Sequence, residues 1–147
     1  MNTFVIDASI AIKWVVEEDG TAQALILRQA RLLAPDLLTA ECANVLWKKV
    51  NRREMSRQEA LFAARLLQGA DIELLPAKSL LEAATRIAID LDHPAYDCVY
   101  LALAAANGCA FVTADRRFLR KIEQGGRNTV RASAVSLDDA ARLFPLG

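Results

Sequence analysis

The sequence predicts an α/β fold organised around a parallel β-sheet. Residues 4–6 and 110–113 are short, apolar and partly β-branched runs of the kind found in fully buried strands. Helical patterns lie between these runs and weaker strand segments, and strands that alternate with helices are typical of parallel sheets. Because the 147 residues contain no linker, repeat or low-complexity segment, we expect a single domain over residues 1–147.

The order of elements follows from apolar spacing along the chain. The predicted strands, all short, are at residues 4–6, 32–34, 72–75, 110–113 and 129–131. The predicted helices, which fall between the strands, are at about residues 10–17, 21–31, 37–50, 57–68, 79–91, 94–107 and 116–123.

Local start and stop signals set the helix boundaries. Ser9 is expected to cap the first helix, and Ser56 begins a capping-box match. Pro94 suits a first helical position, and Gly108 suits a residue just beyond a helix end. Ser136 is expected to cap a terminal turn.

Four carboxylates stand where an apolar run ends or a helix begins. Asp7 and Asp115 follow the two clearest strands, and Glu41 and Asp97 lie near helix starts. Acids after parallel strands meet at the carboxyl edge of the sheet, where open α/β folds place their ligands. Because gathered carboxylates repel one another unless a hard divalent cation joins them, the sequence predicts a metal site.

Each acid also has an ordinary structural explanation. Asp7 and Asp115 could cap the helices that follow them, and Glu41 could lie on a solvated helix face. Asp97 is in the first turn of a helix, where the helix dipole favours an acid. The apolar residues at 98–105 nevertheless make an unpartnered acid costly there, and a cation is the simplest partner.

Polar side chains accompany three of the acids. Ser9 and Thr113 place hydroxyl groups two residues from Asp7 and Asp115, and Asn44 lies one helical turn from Glu41. Such groups can orient carboxylates or a water bound to a metal.

Charge and cysteine content give few global signals. Lys+Arg and Asp+Glu both number 18, so any nucleic-acid surface must be local, and the absence of net charge makes a homodimer or a tight partner plausible. Arg116, Arg117 and Lys48 are candidate contacts to a phosphodiester.

His93 is interpreted as structural, and the three cysteines as buried thiols of a reducing compartment. With no signal peptide or membrane span expected, we predict a cytoplasmic protein.

In order along the chain, Asp7-Ala8-Ser9, Glu41 with Asn44, the segment from Tyr96-Asp97 to Ala104, and Thr113-Ala114-Asp115 resemble the PIN-domain nucleases. The VapC-type toxins of toxin–antitoxin modules are the most similar group. The resemblance implies a three-layer α/β/α domain with a central parallel sheet. It also implies an endoribonuclease that cleaves RNA by metal-activated water and so inhibits translation.

The resemblance also implies roles and partners. Asp7 and Asp97 would be the principal ligands of Mg²⁺ or Mn²⁺, and Asp115 and Glu41 would complete the site. A VapB-like antitoxin protein would bind the toxin, and RNA would be the substrate.

Two other functions remain open from the sequence. A haloacid-dehalogenase-like phosphatase also has an acid after its first strand, but it normally has a second Asp where Ser9 stands. A non-catalytic interaction domain with the PIN fold is the other alternative, and intact acids disfavour it.

Overall fold

A computed structural model of the chain describes residues 2–125 and 133–145. At its centre is a five-stranded sheet in which every neighbouring pair of strands is parallel, with the order β3-β2-β1-β4-β5. The strands are β1 (Thr3–Ile6), β2 (Arg31–Pro35), β3 (Glu73–Leu75), β4 (Ala110–Thr113) and β5 (Ala134–Ser136). Helices cover the sheet to give three α/β/α layers, as expected from the sequence.

Eight α-helices fall within the described residues. They are α1 (Ala8–Ala11), α2 (Thr21–Ile26), α3 (Leu38–Asn51), α4 (Arg57–Gln68), α5 (Leu81–Leu91), α6 (Ala95–Ala106), α7 (Arg116–Gly125) and α8 (Leu137–Ala141). Short 3₁₀ helices follow α1 at Ile12–Trp14, follow α2 at Leu27–Gln29 and precede α5 at Lys78–Leu80.

Strand β1 is the topological switch point of the sheet. In the register of the sheet, Val5 of β1 is paired with Leu33 of β2 on one side and with Phe111 of β4 on the other. The chain therefore leaves β1 in one direction to reach β2 and later returns to β4 on the opposite side. In open α/β sheets, the crevice beyond the carboxyl ends of such strands is the usual ligand site.

Helix α6 forms much of the core. It contacts β1, β2 and β4 across the sheet and packs against α5 on its other side. The Tyr100 ring stacks on Phe111 with centroids 5.7 Å apart, and both side chains are fully buried. Because this helix is apolar on most of its surface, the few polar groups that it carries must be satisfied locally.

Most of the predicted elements are confirmed, with boundaries within a few residues. The predicted strand at residues 129–131 lies outside the described residues, and β5 is at Ala134–Ser136 instead. Ser56 and Glu59 form the complete capping box of α4, and the Ser136 hydroxyl accepts from Asp139 N–H as the cap of α8. Gly108 has φ +62° just after α6, a backbone conformation that favours glycine.

The first two helices differ from the prediction. The capping role predicted for Ser9 is wrong, because α1 begins at Ala8 and its N-cap is Asp7, whose side chain makes no cap hydrogen bond. The chain leaves the regular helix at Ala11 and ends its 3₁₀ turn at Trp14, whose indole N–H donates to Ala24 O at 2.7 Å. The second helix stops well before residue 31, because Arg31 already pairs with Thr3 in the sheet.

The cysteines behave as small apolar groups. All three are free thiols, and Cys42 and Cys98 are buried. Burial raises the pKa of Cys42 to about 12 and that of Cys98 to about 11, so both thiols stay protonated.

Within the described ranges, no helix has both the length and the apolar character needed to cross a membrane.

Candidate functional site

The four acids singled out from the sequence line one cleft of about 370 Å³. Asp7 follows β1, and Asp115 comes two residues after β4. Glu41 is in the first turn of α3, and Asp97 is in the first turn of α6. Four elements that are distant in sequence thus bring carboxylates together at the carboxyl edge of the sheet, at its switch point.

Asp7 is the most buried acid of the cleft, with 7% of its surface exposed. Its Oδ1 accepts a hydrogen bond from Ser9 Oγ at 2.5 Å, and its Oδ2 accepts one from Thr113 Oγ1 at 2.6 Å. Burial raises the pKa of Asp7 to about 6; the two hydroxyls oppose this shift, while Asp97 and Glu41 add to it. The carboxylate is therefore oriented on both oxygens and short of positive charge.

The same two hydroxyls join the ends of β1 and β4. Ser9 Oγ accepts from Ala114 N–H at 3.1 Å, and Thr113 Oγ1 accepts from Asp115 N–H at 3.1 Å. Thr113 is fully buried, so its hydroxyl has no access to solvent. This short network fixes the positions of Asp7 and Asp115 relative to each other.

Asp97 is held by the histidine one turn before it. His93 Nε2 lies 2.7 Å from Asp97 Oδ2, and the imidazole ring packs on Phe118 with centroids 4.4 Å apart. The sequence predicted a structural role for His93 but not its contact with Asp97. His93 orients Asp97 toward the cleft, as a positioning residue.

Glu41 carries a buried oxygen that lacks a partner. Neither its Oε1 nor the Tyr100 hydroxyl has a partner at good hydrogen-bond geometry among the described residues, although the two side chains influence each other's pKa. Burial raises the pKa of Glu41, the Tyr100 hydroxyl lowers it, and Asp97 raises it again. A buried carboxylate oxygen without a donor is costly, and a cation would remove that cost.

Asp115 both caps a helix and faces the cleft. Its Oδ1 accepts from Phe118 N–H at 3.1 Å in the first turn of α7. Its side chain is exposed and lines the acid cleft. The capping interpretation is therefore confirmed for this residue, and its role as a metal ligand stays a prediction.

The donor set fits a hard, hydrated divalent cation. The four acids offer only carboxylate oxygens, and these include the unpartnered Glu41 Oε1. Within residues 2–125 and 133–145, no three His, Cys, Asp or Glu side chains converge closely enough to form a ready-made metal cage. Mg²⁺ keeps several waters and takes few direct carboxylates, so a closed cage is not required.

The other predicted residues lie outside this cleft. Asn44 and Lys48 are exposed on α3, and Arg117 is exposed on α7. Arg116 lines a neighbouring cleft of about 400 Å³ that also reaches Thr113. The roles of these four residues stay predictions.

Sequence reasoning missed three charged residues that line the acid cleft: Lys13, Glu18 and Lys49. A signal for Lys49 was available, because Glu41, Val45 and Lys49 recur at every fourth position of one helix face. The predicted residues Asn44 and Lys48 lie on the adjacent face of the same helix instead. Lys13 and Glu18 had no comparable signal, because their loop is irregular.

A family model described as "PIN domain" matches residues 4–123. The chain belongs to the PIN-domain family. Curated relatives of this PIN-domain chain are 34% identical over 113 residues, which is 77% of this chain and 86% of each relative. They are "VapC ribonuclease Mb0985" of Mycobacterium bovis and "Ribonuclease VapC9" of Mycobacterium tuberculosis.

Solved structures share the PIN fold of this chain. PAE2754 from Pyrobaculum aerophilum has a TM-score of 0.69 and 21% identity, covering 97% of this chain and 94% of that one. Mycobacterium tuberculosis VapC20, described as a toxin that cleaves the sarcin-ricin loop, has a TM-score of 0.61 and 15% identity. The match covers 78% of this chain and 92% of that one. The fold and family predicted from the sequence are confirmed, and they favour the ribonuclease prediction over the phosphatase alternative.

Proposed function

We propose that this PIN-domain protein is an endoribonuclease of the VapC type, dependent on Mg²⁺ or Mn²⁺, and the toxin of a toxin–antitoxin pair that inhibits translation. The observation that carries the proposal is the single cleft in which Asp7, Glu41, Asp97 and Asp115 meet. Its ribonuclease relatives support the same reaction class.

Asp7 and Asp97 are proposed as the principal ligands, because each is oriented by a neighbouring side chain. Asp115 and Glu41 complete the site, directly or through water. A divalent cation held by these residues would supply an activated water and would offset negative charge on the phosphate and on the leaving oxygen.

The chain's own residues keep this site ordered. Ser9 and Thr113 fix the Asp7 carboxylate, and His93 fixes Asp97. Asn44 is proposed to act beside Glu41, and Lys48, Arg116 and Arg117 are proposed to contact the RNA backbone outside the cleft. Because these basic side chains are exposed, they can meet a flexible substrate.

RNA cleavage by the purified chain tests the activity. Wild-type protein is expected to cleave single-stranded RNA with Mg²⁺ or Mn²⁺ and to stop when a chelator is added. Asp7→Asn and Asp97→Asn should each lose most of this activity, because each removes a proposed ligand. Asp90→Asn, an exposed acid of α5 outside the cleft, is the matched control. Cleavage that persists in chelator would contradict the metal dependence, and no cleavage of any RNA would favour a non-catalytic PIN-fold domain instead.

The proposed partners are a VapB-like antitoxin and a second copy of the chain. Large apolar side chains lie exposed on several helices, among them Trp47, Phe62, Leu81 and Ile89. Such exposed apolar surface favours protein–protein contacts. A short gene immediately upstream of this one would support an antitoxin, and expression of its product with this chain should yield a complex. Light scattering of this chain alone should give twice the chain mass.

A further inference from the structure

Two lysines meet a single glutamate at the wall of the acid cleft. Lys13 Nζ lies 3.1 Å from Glu18 Oε1, and Lys49 Nζ lies 3.3 Å from Glu18 Oε2. The lysine side chains are 12% and 18% exposed, so their stems are buried while their charges remain at the cleft. Lys13, Lys49 and Glu18 are called the lysine pair and its glutamate below.

The loop before α2 is built around Lys13. Its ammonium also donates to Asp19 O at 2.7 Å. The buried Thr21 hydroxyl donates to Val16 O and accepts from Glu18 N–H, which fixes the shape of the loop. Gly20 has φ +89°, and a Cβ there would lie 3.3 Å from Lys13 Cε. The loop therefore adopts a conformation that leaves room for the lysine stem.

The lysine pair retains unused hydrogen-bond donors. An ammonium group has three N–H donors. Within the described residues, Lys13 uses two of them, for Glu18 Oε1 and Asp19 O, and Lys49 uses one, for Glu18 Oε2. Glu18 has already committed both oxygens. The remaining donors can serve a ligand in the cleft without breaking an existing contact.

The cleft is acidic, so an anionic ligand can approach it only beside its positive charges. Its lining includes five acids, Asp7, Glu18, Glu41, Asp97 and Asp115, but no basic residue other than Lys13 and Lys49 among the described residues. A phosphodiester chain is an anion, and its approach to this surface needs positive charge beside the acids. Lysine is a suitable partner because it presents a compact charge to phosphate oxygens.

We propose that Lys13 and Lys49 form a phosphate-binding site for the RNA backbone next to the bond that is cleaved, with Glu18 as the positioning residue that holds them. The inference rests on the proposed ribonuclease function for its substrate, but it concerns residues that this function does not otherwise use. The site takes a backbone phosphate and carries no base specificity, because it offers only charge and N–H donors.

A purely structural role for the three residues predicts a different result. If Glu18 only joins its loop to α3, loss of Lys49 lowers stability and leaves the salt dependence of RNA binding unchanged. A phosphate contact instead contributes to counterion release, and each lost contact to a single strand reduces the slope of log affinity against log salt by about 0.7.

The test uses Lys49→Met and Lys49→Arg in the full chain. Binding of a short fluorescein-labelled single-stranded RNA is followed by anisotropy in chelator between about 50 and 200 mM salt. Lys49→Met should bind several-fold more weakly, with a salt slope shallower by about 0.7 and a melting temperature close to that of wild type. Lys49→Arg should restore most of the affinity. Lys78→Met is the control, because Lys78 is exposed and lines none of the clefts described above.

Cleavage kinetics separate this inference from the proposed function. In Mn²⁺, Lys49→Met should raise KM with a smaller change in kcat, because it removes a binding contact. If wild type cleaves RNA and Lys49→Met matches it in affinity, salt slope and KM, the phosphate site is wrong and the ribonuclease assignment stands. If wild type binds RNA through Lys49 but cleaves none, the phosphate site stands and the ribonuclease assignment fails. An equal loss in Lys78→Met would show diffuse attraction and would also contradict the proposal.

Discussion

Asp7 carries a large electrostatic cost at the carboxyl edge of the sheet. It is buried, and the charges of Asp97 and Glu41 raise its pKa further. Among the described residues, its charged form is stabilised directly by two hydrogen bonds from neutral hydroxyls. If these acids hold a cation as proposed, the folded chain should be less stable without it, because the carboxylates repel one another.

The cost of Asp7 should appear as a pH dependence of stability. Burial raises its pKa from 3.8 to about 6, so the folded chain holds the proton more tightly than the unfolded chain. In chelator, stability should therefore fall as pH rises through this interval, by up to about 3 kcal/mol from this group. Asp7→Asn removes the ionisation and should be more stable than wild type near neutral pH. Urea unfolding at several pH values, with Asp90→Asn as control, measures both effects. A variant less stable than wild type at neutral pH would contradict this account.

Thr113 is the fully buried hydroxyl of the local network. It donates to Asp7 Oδ2 and accepts from Asp115 N–H, and it is fully buried. Thr113→Val keeps the shape and removes both hydrogen bonds, so metal affinity or activity should fall by about 10- to 100-fold. Thr39→Val, at an exposed threonine of α3, is the matched control. Equal cleavage rates at limiting Mn²⁺ would show that the hydroxyl does not orient the acid.

At the scale of elements, the strands were easier to predict than the first helix. Residues 4–6 and most of 110–113 are apolar on both faces, and apolar runs this short are more typical of buried strands than of helices. The predicted length of the helix after β1 was wrong. Trp14 and Thr21 make hydrogen bonds to Ala24 O and Val16 O, and these bonds form only when the chain after the helix turns back towards it. Such contacts leave no local periodicity.

Helix α7 offers a way to separate capping from metal binding. Asp115 accepts from Phe118 N–H as its cap and also lines the cleft. Asp115→Ser keeps a side-chain cap and removes the carboxylate, whereas Asp115→Ala removes both. We expect the two variants to lose similar activity, while only Asp115→Ala loses about 1 kcal/mol of stability. Full activity in Asp115→Ser would show that this acid is a cap alone.

At the scale of the whole molecule, the topology brings the site together. Strand β1 lies between β2 and β4, so its carboxyl end opens into the crevice that α3 and α6 approach with Glu41 and Asp97. The sequence indicated these acids because each stands at the end of an element in a parallel fold. It could not indicate Lys13 or Glu18 as parts of the site, because their loop is irregular and its ion pair with Lys49 depends on how the loop packs against α3. The His93–Asp97 contact did have a local signal, because the two residues stand at i and i+4.

The central claim is that these four acids form one cation site, and calorimetric titration of Mn²⁺ into the metal-free protein tests it most directly. Wild type and Asp90→Asn should bind Mn²⁺ with the same affinity, and Asp97→Asn should bind it at least tenfold more weakly, because it lacks a principal ligand. Equal Mn²⁺ affinity in all three proteins, or no binding by wild type, would contradict the account.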